Sequence, residues 1–457
     1  MGDVVSSSPP LPAYAMLPAT GVFIVLILLL VRRASSRSAG FVYVAVWLRF
    51  ILAAFNRITF AESPLGLSWN ALFSLAVIAA GIAIIRRRDI PGPALIPIGL
   101  AIAAAAISGA VNHDVPGAIE MIVKYVYFAV IAIAVIGAIE DLGSDRFLAR
   151  LLWPFVVPVG LQAISLVLGV AKINDQDGTP SYIGGFYHEA AFSVALSAGL
   201  FIACMQRQTR APVKVLLIVG FVASIALANY RTAILAMTPL VGATLFLAGV
   251  RSFVPQQRPL IAGAMLLVLI CGGVASADLA RDRFADIGTI AERGTGIIKP
   301  PESFTEDDRA VMSGRALIWS EYLYGFAAGS PKHELFGFGP DSGETAFGIY
   351  AHNTLISALY ELGVFGFASI LLLWLWILVL AFRSEREARF KLVAAHLGFI
   401  ILNMATMPMW MVEGMMFYGL LCGYTIHSRR HLRAAQQAQR EARDSPNPLH
   451  RAFAESS

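Results

Sequence analysis

Apolar blocks of about 16 to 22 residues recur along this chain, and each comes near the roughly 20 residues that a helix needs to cross a hydrocarbon core of about 30 Å. Short polar connections separate the blocks. The pattern predicts an all-α integral membrane protein with thirteen transmembrane helices, or twelve if the first helix or the final pair is divided differently. The predicted spans are 19–31, 40–56, 69–85, 93–111, 118–137, 151–171, 187–205, 213–229, 232–250, 259–276, 360–382, 391–409 and 412–427.

Composition and charge agree with a membrane protein. Hydrophobic residues make up 57% and charged residues 14% of the 457 residues, whereas an ordinary soluble domain has roughly 25% charged residues. The formal net charge is +5, but the basic residues cluster in every second connection. This is the positive-inside pattern, which places these connections in the cytoplasm, so we expect no nucleic-acid partner. The clusters lie at 32–37, 86–88, 207–214, 251–258, 383–391 and 429–443.

The predicted alternation of the connections between the two sides of the membrane divides the chain into four parts. We predict N-terminal transmembrane helices at 1–276, one large extracytoplasmic loop with short amphipathic helices at 277–350, C-terminal transmembrane helices at 351–427 and a charged cytoplasmic tail at 428–457. The loop holds seven Lys or Arg and twelve Asp or Glu residues. An arginine in this loop therefore opposes both the topology rule and the local charge. The N-terminus lacks the basic region of a signal peptide, so we expect the first block to be retained as an anchor.

The sequence indicates no metal site. The cysteines lie in or at the ends of apolar blocks without Cys-x-x-Cys or Cys/His spacing, and we expect neither a disulfide nor a cofactor. The outward segments lack a DxD-like pair of the kind that binds a metal with a nucleotide sugar. We assign the acidic run Glu306-Asp-Asp308 to a solvated loop. The three cysteines are Cys204, Cys271 and Cys422.

Three side chains on the predicted outer face are candidates for chemistry. Arg231 joins two apolar runs with almost no loop, and there it either pairs with an anion or snorkels to lipid phosphate. Arg315 follows Ser313-Gly314, a predicted helix N-terminus that suits phosphate, although a solvent-exposed arginine is the alternative. His352 stands where the loop returns to the membrane, and it is either a general base or a structural residue at a helix start.

Four further residues are candidates for accessory roles. His188 and Glu189 form either a second acid/base or acceptor-binding pair, or a structural hydrogen bond at the top of the seventh helix. Glu361 either orients an arginine or caps a polar contact between helices, and Tyr350 precedes His352 by two residues. The glycine-rich stretch 335–343 lacks the Lys-Ser/Thr of a P-loop and predicts a tight turn over the cavity.

The motifs around these residues follow one another in a distinctive order. Arg231-Thr-Ala-Ile-Leu235 fits an Arg-x3-Leu pattern, and His352 with Gly363 fits a His-x10-Gly pattern. Over about residues 180–425 the chain resembles the superfamily of O-antigen ligases and polysaccharide polymerases. The resemblance also includes Tyr182–Phe192, Ser313-Gly-Arg315, Trp319, Phe336-Gly-Phe-Gly339, Ala351-His-Asn353, Glu361-Leu-Gly363 and Gly366.

The resemblance implies a metal-independent, inverting membrane glycosyltransferase with a GT-C-like fold. It implies a bacterial inner (plasma) membrane location with the active site facing the periplasm, an undecaprenyl-diphosphate-linked glycan as donor, and a glycan or lipid A-core as acceptor. In such a reaction Arg231 and Arg315 would stabilise the departing diphosphate. His352 would take or share the acceptor proton. Membrane lipid and chain-length or export proteins are further candidate partners.

Three functions remain open at this point. The leading hypothesis is a polymerase that joins lipid-linked repeat units into a surface polysaccharide or exopolysaccharide, favoured by the compact loop and the Ser-Gly-Arg…Trp run. An O-antigen ligase that transfers the glycan to lipid A-core uses the same chemistry. A transporter or flippase for lipid-linked oligosaccharide would need ionisable residues at the membrane midplane, where Arg49 is one of few candidates.

Overall fold

The computed structural model describes residues 8–173, 178–267 and 294–444. The described chain is built of helices apart from one small antiparallel pair of strands, β1 (Lys172–Ile173) and β2 (Pro180–Ser181). The prediction of an all-α protein is confirmed. The predicted end of the tenth span (268–276), the first part of the large loop (277–293) and the end of the tail (445–457) lie outside the described residues.

Twelve helices of the described chain precede the large polar loop. They are α1 (Ala13–Arg32), α2 (Arg37–Ala54), α3 (Asn56–Thr59), α4 (Trp69–Ile84), α5 (Ile96–Val111), α6 (Val115–Leu142), α7 (Ser144–Leu151), α8 (Val156–Val167), α9 (Glu189–Met205), α10 (Ala211–Leu227), α11 (Arg231–Arg251) and α12 (Arg258–Leu267). Three short 3-10 helices accompany them, at Arg87–Asp89, Gly92–Leu95 and Trp153–Phe155.

Seven further described helices form the loop and the C-terminal part. They are α13 (Glu306–Ala310), α14 (Arg315–Ala327), α15 (Pro331–Phe336), α16 (Ser342–Phe347), α17 (Thr354–Phe382), α18 (Arg386–Asn403) and α19 (Val412–Asp444). Four 3-10 helices lie among them, at Gly294–Ile297, Pro301–Ser303, Val311–Gly314 and Pro408–Trp410.

Seven helical segments of the described chain are long and apolar enough to cross a membrane, as judged by length and composition. They are α1, α2, residues 92–111, α6, residues 144–167, α11 and α17. Four shorter apolar helices, α4, α9, α10 and α12, add to them. Together with α18 and α19, these segments coincide with the described parts of the predicted spans, and the prediction of a multi-pass membrane protein is confirmed.

Polar caps explain where several helices begin. Helix α17 starts at Thr354, six residues before the predicted span, because the Asn353 side chain accepts hydrogen bonds from the N–H groups of Leu355 (3.0 Å) and Ile356 (3.3 Å). Such a cap satisfies N–H groups that have no partner within the helix. Hydropathy alone therefore missed the first turn. At the other end of the chain, α19 continues without interruption through the predicted start of the tail at residue 428.

The connections predicted to face outward meet at one end of the helix bundle. Hydrogen bonds join them at this end, while the opposite end gathers the basic clusters and their acidic partners. This arrangement agrees with the predicted alternation of the connections. At the first end the bonds run from Asn112 Nδ2 to Gly337 O (3.0 Å), from Tyr182 N to Leu227 O (2.9 Å) and from Asn56 Nδ2 to Gly185 O (2.8 Å). At the second end the ion pairs are Arg86–Asp141 (2.8 Å) and Arg207–Glu385 (2.6 Å).

Helices α6 and α19 pack closely at the centre of the bundle. A Cβ atom added at Gly423 of α19 would lie 2.5 Å from the Ala132 carbonyl oxygen of α6, so this position requires glycine. Small residues let membrane helices approach in this way. The Tyr418 ring stacks between Phe399 (4.1 Å between centroids) and Phe128 (5.1 Å), which extends the core to α18.

Candidate active site

The glycine of the His-x10-Gly pattern interrupts helix α17. Gly363 has φ 68° and ψ −168°, a backbone conformation that breaks the helical hydrogen bonding. A Cβ atom at this position would lie 2.4 Å from the Leu335 carbonyl carbon. Gly363 is therefore needed for backbone reasons, since both its positive φ and the close approach of the loop exclude a side chain.

The glycine-rich stretch 335–343 packs against α17 at the point where the helix is interrupted. The N–H groups of Phe338 and Gly339 donate to the carbonyl oxygens of Tyr360 (2.9 Å) and Glu361 (3.1 Å), which the broken helix leaves without their usual partners. Backbone groups at membrane depth must be satisfied within the protein. The stretch is thus the tight turn that its sequence predicts, and it is held against the outer half of α17.

Glu361 fastens this turn to its surroundings. Its buried carboxylate accepts hydrogen bonds from Ser357 Oγ (2.6 Å), Trp410 Nε1 (3.2 Å) and the Asp341 N–H (3.3 Å). These donors come from α17, from a 3-10 helix and from the loop. The contacts agree with the second interpretation of Glu361, a polar contact that ties helices together.

Helix α14 holds the segment that carries His352. Trp319 Nε1 donates to the Ala351 carbonyl oxygen (2.9 Å), and the Tyr322 hydroxyl donates to the Ile349 carbonyl oxygen (2.8 Å). Arg315, the first residue of α14, lies one turn before Trp319. Residues four apart share a helix face, so the contacts of Trp319 bring Arg315 to the same side as His352.

His352 is held in an unusual conformation next to Tyr350. Its φ is 53°, in the left-handed region, and its ring centroid lies 4.0 Å from that of Tyr350. Burial lowers the pKa of His352 to about 4, and the positive charge of Arg315 and the neighbouring His188 act in the same direction. The imidazole is therefore neutral near pH 7 and has a free lone pair. Backbone strain of this kind occurs often at functional sites.

His188 and Glu189 lie at the same site, and both are tied down. His188 Nδ1 accepts a hydrogen bond from the Ala190 N–H (3.0 Å) and so caps α9. The carboxylate of Glu189 forms an ion pair with Lys172 Nζ at 2.7 Å. Burial lowers the pKa of His188, against the opposing effect of Glu189. Because Nδ1 accepts a hydrogen bond from the backbone, the neutral ring carries its proton on Nε2.

Sequence reasoning missed Lys172. It stands in strand β1 and reaches Glu189, seventeen residues further along the chain. The only signal in the sequence was a lysine in the connection between the predicted spans 151–171 and 187–205, on the side where the topology rule disfavours basic residues.

Arg231 begins helix α11 at the edge of this site. Its side chain is exposed, and the preceding residue Tyr230 forms a hydrogen bond with Thr406 Oγ1 (2.7 Å). Burial raises the pKa of Tyr230, while the positive charge of Arg315 opposes the shift. The position of Arg231 is thus indicated by its neighbour Tyr230, whereas the positive charge of Arg315 acts on His352.

Electrostatic interactions join residues from distant parts of the chain into one site. Tyr350 is one such residue: burial raises its pKa, the neighbouring Tyr230 and Glu189 act in the same direction, and the positive charge of Arg315 opposes them. Among the described residues, no group of three or more His, Cys, Asp or Glu side chains is arranged to hold a metal ion. The cluster offers neutral imidazoles, guanidinium and ammonium cations, and the carboxylate of Glu189.

Comparison with known families matches part of the chain. Residues 215–371 match the family model described as O-antigen ligase. The match confirms the resemblance to the O-antigen ligase and polymerase superfamily and supports a membrane enzyme of glycosyl transfer. The matched segment includes Arg231, Arg315 and His352, whereas His188 and Glu189 precede it. A comparison with curated proteins finds no match.

Proposed function

We propose that this chain, with its O-antigen ligase segment, is a membrane glycosyltransferase that polymerises undecaprenyl-diphosphate-linked repeat units at the periplasmic face of the inner membrane. One observation carries the proposal: within the matched segment, the charge of Arg315 acts on a neutral, half-buried His352. A cation beside a neutral base is what transfer from a diphosphate to a hydroxyl group requires.

The guanidinium cations of Arg315 and Arg231 act on the diphosphate of the donor. When the bond between the anomeric carbon and the diphosphate breaks, the electron pair remains on the diphosphate oxygen and negative charge grows there. Arg315 and Arg231 supply planar guanidinium groups, which bind phosphate oxygens in pairs. Such groups can stabilise the leaving group in the way that a divalent ion does in other enzymes.

The imidazole of His352 acts on the hydroxyl group of the acceptor. The acceptor oxygen attacks the anomeric carbon while its proton passes to the lone pair of His352, and the polyprenyl diphosphate leaves on the opposite side. This single displacement inverts the anomeric configuration. Beside an unneutralised Arg315, protonation of His352 is unfavourable. A bound diphosphate would compensate Arg315, so donor binding would raise the basicity of His352 when it is needed.

His188, Glu189 and Lys172 are well suited to bind the acceptor sugar. They lie beside His352 and Tyr350 and combine a carboxylate, an ammonium group and an imidazole N–H. Hydroxyl groups of a sugar both donate and accept hydrogen bonds, and this set matches both roles. Tyr350 adds an aromatic face next to His352.

A ligase is the second candidate, because the matching family model is described as O-antigen ligase. It would use the same donor and the same three residues, but lipid A-core would be the acceptor. A transporter has less support: Arg49, one of the few ionisable candidates at the membrane midplane, is engaged in a buried ion pair with Glu413 at 2.8 Å.

Reconstitution separates these functions. The purified protein is placed in vesicles with a lipid-linked repeat unit, with or without lipid A-core, and products are resolved by gel electrophoresis. A ladder of products indicates a polymerase, and one product on lipid A-core indicates a ligase. Movement of the donor across the bilayer without any new glycosidic bond would contradict both. His352→Ala, reconstituted in equal amount, controls for contaminating enzymes.

A further inference from the structure

A buried ion pair lies among the helices next to the site. Arg49 of α2 donates from Nε (3.0 Å) and Nη2 (2.8 Å) to Oε1 of Glu413, at the start of α19. Their side chains are only 3% and 1% exposed. Ionisable residues within membrane helices are costly, and those retained usually have a function.

Arg49 contacts only one of the two carboxylate oxygens of Glu413, so the other oxygen can accept a hydrogen bond from another residue. Both donations from Arg49 go to Oε1, and the Tyr187 hydroxyl donates to Oε2 at 3.4 Å. The second terminal nitrogen of Arg49 donates to Asn70 Oδ1 of α4. Glu413 is thus held by Arg49 in an orientation that presents Oε2 to Tyr187.

Tyr187 connects this pair to the candidate active site. It directly precedes His188, which is near enough to His352 for their charged forms to repel each other. The Phe60 and Tyr187 rings pack in a T-shaped arrangement with 5.0 Å between their centroids. Tyr187 is therefore held by its ring as well as by its hydroxyl group. His188 in turn accepts from the Ala190 N–H. Two successive residues are therefore anchored, one in the helix bundle and one at the top of α9.

We propose that Arg49 and Glu413 form a positioning pair, which holds Tyr187 and through it sets the place of the His188 ring beside His352. The inference rests on the proposed transferase function for its effect on turnover. Stability alone would not require an ion pair at this place, because well-packed apolar residues often replace a buried ion pair without loss of stability.

The first test compares two tyrosines. Tyr187→Phe removes only the hydroxyl that contacts Glu413. Tyr43→Phe is the control, because Tyr43 is a buried tyrosine whose hydroxyl donates to a carbonyl oxygen, that of Phe147, near the basic end of the bundle. We expect Tyr187→Phe to lower kcat about tenfold at unchanged donor KM, the loss of one hydrogen bond to a charged group. Tyr43→Phe should retain full kcat.

The second test does not depend on activity. Diethyl pyrocarbonate modifies neutral imidazole, and mass spectrometry measures its rate at His188 relative to the exposed His431. We expect modification of His188 to be about threefold faster in Tyr187→Phe than in Tyr43→Phe, because a looser segment exposes the ring more often. The double variant Arg49→Met/Glu413→Leu should show the same increase, and adding Tyr187→Phe to it should change little more.

The outcomes distinguish this inference from the proposed function. Unchanged modification of His188 in both variants would overturn the positioning role, whatever happens to kcat. Faster modification with unchanged kcat would overturn its effect on turnover. If the unaltered protein transfers no glycan, the proposed function fails, while the modification rates still test whether the pair places His188.

Discussion

At the scale of single residues, the candidate site separates binding from proton transfer. Arg315 interacts with the imidazole of His352 but contributes a fixed charge, and His352 is neutral because burial and that charge lower its pKa. The fork of a guanidinium group binds two phosphate oxygens at once, whereas an ammonium group is a point charge. The paired geometry of the guanidinium contacts and the positive charge of the side chain can therefore be tested independently.

Replacing either arginine with lysine tests the fork. We expect Arg315→Lys and Arg231→Lys each to lower kcat/KM by about tenfold or more, since charge is kept but paired contacts are lost. Turnover and donor binding are measured at matched expression. His352→Ala should instead abolish transfer and leave donor binding nearly intact. Equal loss of donor binding in all three variants would contradict the division of roles.

The pH dependence tests the neutral base. His352 must be unprotonated to accept a proton, so activity falls as the pH drops through its pKa. In the free protein that pKa is about 4, and kcat/KM should lose activity only near this value. Bound diphosphate offsets Arg315, so the acid limb of kcat should lie at higher pH. Coincident acid limbs in the two profiles would argue against charge compensation by the donor.

Chelation tests whether the guanidinium groups replace a metal. If Arg231 and Arg315 supply the positive charge at the leaving group, activity should be unchanged in EDTA. The measurement is product formation by the purified protein before and after chelation. Loss of activity in EDTA with recovery on adding magnesium or manganese would contradict the proposed role of the arginines.

At the scale of elements, the interruption of α17 organises the site. The glycine-rich turn replaces helical hydrogen bonds with its own N–H groups, and this brings the loop back onto the helix that follows His352. The interruption depends on Gly363, because a side chain would collide with the loop backbone. A motif position can thus be essential without touching any substrate.

Gly363→Ala tests this role. Its φ of 68° costs a residue with a side chain about 1–3 kcal/mol, and the clash with the Leu335 carbonyl carbon adds to this. We expect a lower apparent Tm in detergent and reduced turnover, because the glycine-rich turn must move. The matched control is Gly220→Ala in α10, where no atom lies within 4 Å of the added Cβ. An unchanged Tm for Gly363→Ala would show that the turn adjusts easily.

At the scale of the whole molecule, the two ends of the bundle differ in chemistry. One end carries the candidate site, and the other gathers the arginine clusters with partners such as Asp141 and Glu385. Basic residues are retained on the cytoplasmic side during insertion. The charge distribution therefore predicts that the site faces the periplasm, so that donor and acceptor meet outside the cytoplasm.

Labelling of introduced cysteines tests this orientation. Ser330→Cys, near the site end, should react with a membrane-impermeant maleimide in intact spheroplasts. Gln437→Cys, on the exposed part of α19, should react only after the membrane is opened. The native Cys204 and Cys422 are buried and should contribute little, and both variants are made in a Cys271→Ser background. The reverse labelling pattern would place the site in the cytoplasm and contradict the proposed function.

The amino-acid sequence alone determined the helical membrane architecture and the order of the motifs. A helix that crosses a bilayer satisfies its own backbone hydrogen bonds, so its presence is a local property that about 20 successive apolar residues reveal. Arg315 could be found for a related reason, because a charge that opposes the topology rule is visible in the chain itself.

Tertiary structure alone decided how these residues are held. Lys172 meets Glu189 through a small strand pair, and Glu361 receives the glycine-rich turn, neither of which follows from periodicity. Arg49 and Glu413 lie 364 residues apart in the chain yet share one hydrogen-bonded pair. Such contacts depend on which helices become neighbours, and this is set by packing of small and large side chains across the bundle rather than by any local pattern.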